Sequence, residues 1–292
     1  MATVNGVAER PLVVIVGPTA SGKSALAIEV AEQFSGEIIC SDSRTIYKSM
    51  DIGTAKPTKR DRQRVPHWGL DLVEPGELFT AADFQKYANQ KIAEIRKRGN
   101  VPILVGGTGL YVDGVIFDYK FKKSDPIMRA TLEKLSLDEL IEYCKNNNIE
   151  LPENEKNRRY VIRAIERGTA SRERLQSPIA NTIVVGIATE RDELRRRIVQ
   201  RSEQLFADGM VEEAKILGER YGWESEAMTG NIYPLVRRYL TGELNEDQLK
   251  QAFVTADWRL AKRQMTWLRR NPYIIWHNLD DAYAYIASKL SH

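Results

Sequence analysis

A lysine and a serine at the end of a glycine-framed segment are the residues best placed to do chemistry. Gly17-Pro18-Thr19-Ala20-Ser21-Gly22-Lys23-Ser24 fits G-x-x-x-x-G-K-[ST] at every position. In such a loop the backbone N–H groups ring a helix N-terminus and cradle a diphosphate. Lys23 adds a point charge, and the Ser24 hydroxyl is the expected Mg²⁺ ligand. The pattern predicts polyphosphate binding without saying which polyphosphate. Asp42, in Cys40-Ser41-Asp42-Ser43-Arg44, is the acid nearest a predicted strand end. Two roles are open to it: metal anchor, or general base aimed at a bound acceptor. A third segment, Gly106-Gly107-Thr108-Gly109-Leu110, is expected to be flexible and amide-rich, with Thr108 able to hydrogen-bond a ligand. A tight strand-to-helix turn explains the same residues equally well.

These groups need a scaffold that brings three loops together. Leu12 to Val16 is wholly apolar and rich in β-branched residues, the pattern of a strand buried on both faces. A helix over Lys23 to Phe34, closed by Gly36, and a strand over Glu37 to Cys40 follow it. Thr80-Ala81-Ala82-Asp83 reads as a capping box for a helix ending at Gly99. Val101 to Val105 and Thr182 to Ile187 predict two more buried strands. Strands alternating with helices predict an α/β fold: a P-loop parallel sheet flanked by helices. Between Phe121 and Ser177 the strand signal disappears, so residues 121–177 are expected to be an inserted helical subdomain. The catalytic core is then 1–120 with 178–292. Helices are expected over Arg191 to Ala207, Val211 to Tyr221, Tyr233 to Leu240 and Glu246 to Arg269, and a last strand over Tyr273 to Trp276.

Composition narrows the function class. The chain has 292 residues, 42% hydrophobic and 28% charged, with a net charge of +3. That is an ordinary globular balance and excludes a disordered or collagen-like chain. No apolar run approaches the roughly 20 residues of a membrane helix. The first ten residues lack a basic patch followed by an apolar core, so no secretory signal is expected. Two cysteines, Cys40 and Cys144, suffice neither for a disulfide framework nor for a four-ligand zinc site, and a cytoplasmic setting is expected. The charge is unevenly spread. Lys156 to Arg174 holds seven bases against two acids, and Trp258 to Arg270 holds five bases and no acid. Leu132 to Glu155 is the reverse, with seven acids against two bases. Two basic clusters in a nearly neutral chain suit a polyanion touched at defined places, although solvated helix faces look the same.

Longer motifs go further. GPTASGKS at Gly17 is followed by SDSRTIYKSMDIGTAKP from Ser41 to Pro57, FTAADF at Phe79 and VGGTGLYV at Val105. RAIE at Arg163, RRIVQR at Arg196 and LAKRQMTWLRR at Leu260 continue the series. The chain resembles the bacterial tRNA dimethylallyltransferases from about residue 12 to 277. The resemblance implies transfer of a dimethylallyl group from dimethylallyl diphosphate to N6 of adenosine 37 in the anticodon loop. It implies that Gly17 to Ser24 hold the diphosphate, that Arg201 clamps it, and that Asp42 is the general base. Val101 to Val105 runs into Gly106 and not into the Asp usual in an NTPase, which agrees with a loop that binds an allylic diphosphate. Weak ATP binding is still expected, because the cradle reads phosphates.

The resemblance further implies that Asp42, Ser43, Arg44 and Thr45 meet the target base. Thr108, Arg129, Arg159, Arg163, Lys262, Arg263, Gln264, Trp267 and Arg269 fall where the family contacts tRNA. For Trp258 and Trp267 the helical spacing with Leu260, Met265 and Leu268 favours packing, and His67 reads as a structural hydrogen-bonding residue. A monomer is expected. Three segments depart from the family pattern: Lys156-Asn157, Tyr160 and Gly230-Asn231-Ile232. The rival readings are a P-loop small-molecule kinase with Asp42 on the metal, an adenylate isopentenyltransferase, and an RNA-binding module with a vestigial phosphate loop. The two basic clusters speak against the second, and intact Lys23, Ser24 and Asp42 against the third.

Overall fold

The computed structural model describes residues 3–4, 7–121, 125–152, 154–168 and 173–291. The chain divides into two compact units, Met1–Phe117 with Ser177–His292, and Asp118–Gln176.

In the larger unit, a two-residue ladder of β1 (Thr3–Val4) and β2 (Val7–Ala8) precedes β3 (Leu12–Val16) and α1 (Lys23–Phe34). Then come β4 (Gly36–Cys40), α2 (Lys59–Arg64), β5 (His67–Trp68), α3 (Ala81–Lys97), β6 (Val101–Gly106) and α4 (Gly109–Ile116). In the smaller unit lie α5 (Pro126–Leu132), α6 (Leu137–Asn146) and α7 (Arg158–Arg167). The larger unit resumes with β7 (Thr182–Ile187), α8 (Arg191–Ala207), α9 (Met210–Tyr221), a 3-10 turn (Glu226–Thr229) and α10 (Tyr233–Leu240). It ends with α11 (Glu246–Leu268), β8 (Ile275–His277) and α12 (Leu279–Leu290).

Six strands form a parallel sheet in the order β5-β4-β6-β3-β7-β8. All five residues of β3 are fully buried, as its apolar run predicts. β3 is paired on one side with β6 (Val13 opposite Ile103) and on the other with β7 (Val13 opposite Ile183). The chain leaves β3 toward β4, returns to insert β6 between them, and crosses to β7. In open α/β sheets such reversals leave a crevice beyond the carboxyl ends of the strands. The loops after β3, β4 and β6 all open there.

Local chemistry explains most boundaries. Thr80 accepts from the Asp83 amide and Asp83 from the Thr80 amide, so α3 starts on the expected capping box. The end of α1 differs from expectation. The left-handed residue is Ser35 (φ 52°), not Gly36. Gly36 already belongs to β4, and it is glycine because a Cβ there would lie 2.6 Å from Ile103 Cδ1. The last strand starts two residues later than its aromatic signal and ends one later, at Ile275–His277, with Tyr273 in the preceding turn. α1 and α12 cover one sheet face through Leu26, Ile28, Val30, Ala282 and Ile286. A second core joins α9, α10 and α11 through Met210, Leu217, Tyr233, Val236, Leu249 and Phe253.

The smaller unit has its own core of Leu132, Leu140, Cys144, Val161, Ile162 and Ile165. Asp125 caps α5, the Ser136–Glu139 box caps α6, and Asn157 caps α7 by accepting from the Arg159 amide. Asn157, one of the departures from the family pattern, therefore has a structural task.

Candidate active site

The phosphate loop spans the gap from the buried end of β3 to the first turn of α1. Two residues enter the left-handed region to shape it: Ala20 (φ 62°) and Gly22 (φ 93°), the latter capping the helix. Gly17 permits the tight first turn, since a Cβ there would lie 2.8 Å from Ser21 Oγ. Lys23 Nζ donates to Pro18 O at 3.1 Å and closes the loop from within. Burial and the neighbouring Arg201 guanidinium push Lys23 down to about 8, while the Asp42 charge pulls it back up. Lys23, Arg201 and Asp42 therefore share one electrostatic neighbourhood.

Three side chains brace the loop from outside. Arg201, on α8, donates through Nη1 to Thr19 Oγ1 and lies 3.4 Å from Asp257 Oδ2. Arg197, one helical turn earlier, donates to Ser21 O at 3.1 Å and is itself held by Glu193 at 2.7 Å. Gln264, on α11, accepts the Thr19 amide at 2.8 Å.

Asp42 sits on the turn after β4. Its Oδ1 accepts the Arg44 amide at 2.8 Å, the side-chain turn that suits Asp at such a corner. Thr108 Oγ1 accepts the Ser43 amide at 3.1 Å and so ties this turn to the loop after β6. That loop is not flexible as expected but closely fitted. A Cβ on Gly106 would lie 1.9 Å from Ser41 O, one on Gly107 2.2 Å from Gln264 Nε2, and one on Gly109 2.0 Å from Trp267 Cδ1. Arg44 reaches the 3-10 turn, donating to Glu226 O at 2.9 Å and Thr229 Oγ1 at 3.1 Å. Thr45 is buried, and its hydroxyl turns back to Asp42 O at 3.5 Å.

The helix α11 has two faces. Asp257, Ala261, Gln264 and Leu268 recur at helical spacing on its inner side. Trp267 packs on Gly109 and donates to Asp113 Oδ2 at 2.7 Å. Lys262, Arg263 and Arg269 are exposed and, among the described residues, in no ion pair. Lys262 Nζ stands 5.4 Å over the Trp258 ring. In the smaller unit Arg129 and Arg163 instead converge on the buried Glu166, at 3.3 and 2.6 Å, and Arg159 is exposed.

Comparison with known proteins places the chain in a family. The model of the IPP transferase family matches residues 45–271. A tRNA dimethylallyltransferase of Anoxybacillus flavithermus is 38% identical over 92% of this chain and 91% of its own. One from Bacillus velezensis is 36% identical over 93% and 91%. The chain belongs to the IPP transferase family. The crystal structure of the tRNA isopentenylpyrophosphate transferase of Bacillus halodurans superposes with a TM-score of 0.73 at 34% identity, covering 97% of both chains. A eukaryotic dimethylallyltransferase acting on tRNA shares the fold, with a TM-score of 0.77 at 23% identity.

The donor set bears on Mg²⁺. Among the described residues no cluster of three or more His, Cys, Asp or Glu is placed to hold a metal. Mg²⁺ bound with a polyphosphate needs few protein ligands, because phosphates and water fill its shell. Ser24, exposed in the first turn of α1, is a ligand of that kind. Ser21 Oγ, buried in the loop with no partner among the described residues, adds a spare polar group beside Gly17. The loop therefore fits a metal carried by a diphosphate.

Sequence reasoning misses Arg197, Asn231, Asp257 and Asp113. Their partners are distant in sequence: Asp257 lies 56 residues from Arg201, and Trp267 lies 154 from Asp113. A buried charge inside a helix, such as Asp257, is the one signal that local patterning offers. His67 has its structural role, with Nδ1 2.9 Å from Val65 O. No helix is long and apolar enough to cross a membrane among the described residues.

Proposed function

We propose that this protein transfers the dimethylallyl group of dimethylallyl diphosphate to N6 of adenosine 37 in a tRNA anticodon loop. The observation that carries the reading is the geometry of the loops beyond the sheet: Lys23 is folded into the phosphate loop and Arg201 onto its Thr19, while Asp42 stands on the adjoining turn after β4, held by the Arg44 amide. The cations suit a leaving diphosphate, and the carboxylate suits an amine that must lose a proton.

In this reading the amides of Gly17 to Ser24, with Lys23 and Arg201, stabilise charge as the allylic C–O bond breaks and the N–C bond forms. Ser24 would hold a Mg²⁺ carried by the diphosphate, which would supply further neutralisation of the leaving group. Asp42 Oδ1 is engaged by the Arg44 amide, so Oδ2 takes the N6 proton. Adenosine 37 must leave its stack to reach that oxygen, a flip that single-stranded loops allow at modest cost. The frame of Ser43, Thr108 and Arg44 holds the corner against which the base would lie. The outer face of α11, through Lys262, Arg263 and Arg269, meets tRNA phosphates, with Arg129, Arg159 and Arg163 contributing from the smaller unit. The protein works as a monomer in the cytoplasm; its two buried free thiols suit a reducing compartment.

The test is incubation with dimethylallyl diphosphate and a tRNA transcript, followed by digestion and mass analysis. The expected product is N6-isopentenyladenosine, lost when position 37 is guanosine. A phosphorylated small molecule formed from ATP would instead favour a kinase.

A further inference from the structure

Two polar side chains that the transfer chemistry does not use lie behind Arg201. Asp257 stands in the middle of the 23-residue helix α11 with its side chain 6% exposed. A carboxylate so buried needs partners. Its Oδ2 lies 3.4 Å from Arg201 Nη1, and its Oδ1 accepts from Asn231 Nδ2 at 3.0 Å. Asn231 Nδ2 also reaches Ala256 O at 3.5 Å, so the amide itself is fixed to the same helix. With both oxygens engaged, the carboxylate has little freedom to rotate. Arg201 then continues to Thr19 Oγ1 in the phosphate loop. One line of contacts thus joins Asn231, Asp257, Arg201 and Thr19, brought together from four separate segments.

We propose that Asp257, braced by Asn231, is the positioning residue that holds Arg201 over the phosphate loop. An arginine side chain has several soft torsions, and a cation aids a leaving group most when it is in place beforehand. Lys23 and Arg201 are like charges at the same loop, and after burial the Arg201 charge is what lowers Lys23 further. A negative charge at the rear of Arg201 offsets that repulsion and keeps both cations at one mouth. Asp257 acts through Arg201 and touches no substrate. The inference rests on reading the loop as a diphosphate site.

A double-mutant cycle tests it, using wild type, Asp257→Asn, Arg201→Ala and the double variant. Inorganic diphosphate binding is measured by calorimetry, and single-turnover prenyl transfer is measured with saturating tRNA. Asp257→Asn is expected to weaken diphosphate binding and slow transfer by about tenfold each, the usual scale for an orienting partner. The KM for tRNA should stay unchanged. In the Arg201→Ala background the same substitution should change neither quantity by more than about twofold. Asn231→Ala, at a half-buried position, should give a smaller loss of the same kind and stands in if Asp257→Asn fails to fold. Equal losses in both backgrounds, or a tRNA KM that moves with them, would overturn the proposal. If wild type binds diphosphate but prenylates no tRNA, the functional reading falls while the binding cycle still decides the role of Asp257.

Discussion

Replacing Asp42 by Asn separates the two roles that a carboxylate at this corner can play. The structure sets how much else the change disturbs. Asn keeps an Oδ1 to accept the Arg44 amide at 2.8 Å, so the turn loses only the charge on one hydrogen bond, worth about 1 kcal/mol. The Ser43–Thr108 tie is untouched. What disappears is Oδ2 as a proton acceptor. A positioned base contributes about 10²- to 10⁴-fold, or roughly 2.7 to 5.5 kcal/mol of barrier. One side effect must be designed out. Asp42 raises the Lys23 pKa, so its loss lowers an amine already near 8. Measured near pH 6.5, well below the wild-type value, the comparison keeps the Lys23 contribution small and reports chiefly the base. The assay is single-turnover transfer to tRNA across a Mg²⁺ titration. As a base, Asp42→Asn shows a depressed plateau at the wild-type metal midpoint. Recovery of the rate at high Mg²⁺ would refute the assignment and make Asp42 a metal anchor.

Three further outcomes follow from particular residues. Arg263→Ala and Arg269→Ala should each weaken tRNA binding and reduce its salt slope by about one, with the KM for dimethylallyl diphosphate unmoved; filter binding at several salt concentrations checks this, and an unchanged slope in a folded variant would make the cluster a solvated face. Lys23 should take up a proton when diphosphate binds, because an amine near 8 in the free protein is raised by the ligand's charge; affinity should then fall above pH 8 in wild type and stay flat in Lys23→Ala, as calorimetry in two buffers would report. Burial raises both cysteine thiols, Cys40 to about 12, so a chromogenic disulfide should find no reactive thiol at pH 8 until denaturant exposes two.

Where function rests on a contiguous stretch, the sequence alone discloses it. The glycine frame from Gly17 to Gly22 is a local device, and so are the Thr80–Asp83 box of α3 and the five buried residues of β3. Each depends on neighbours within a few positions. Short elements escape the same reading: β5 has two residues and draws its stability from Ile38 and Ile39 across the ladder, which no window of its own sequence contains. α12 does carry a local start signal, since Asn278 accepts the Asp281 amide, but its apolar positions mix with Tyr283 and Tyr285 and the periodicity is weak. Sequence spacing identifies Gly106, Gly107 and Gly109 as a turn or a flexible loop and cannot choose. The choice depends on what approaches them: Ser41, Gln264 and Trp267, two of which arrive from a helix more than 150 residues away.

That dependence explains why one helix carries so much of the site. α11 delivers Asp257 behind Arg201, Gln264 to the Thr19 amide and Trp267 to Gly109, while its other side presents Lys262, Arg263 and Arg269 to solvent. At about 1.5 Å per residue, the stretch from Asp257 to Arg269 is about 18 Å long, so one element touches both the phosphate loop and the loop after β6 while its exposed side carries the basic residues. The glycines of the loop after β6 make the fit close enough for this to matter: with 2.0 to 2.2 Å available to a Cβ at Gly107 and Gly109, the loop cannot shift independently of Gln264 and Trp267. The same loop holds Thr108, which sets the Ser43 amide and with it the corner carrying Asp42. The corner carrying Asp42 and the side chains that brace the phosphate loop are thus both referred to α11: through Thr108 and the loop after β6 on one side, and through Asp257 and Gln264 on the other.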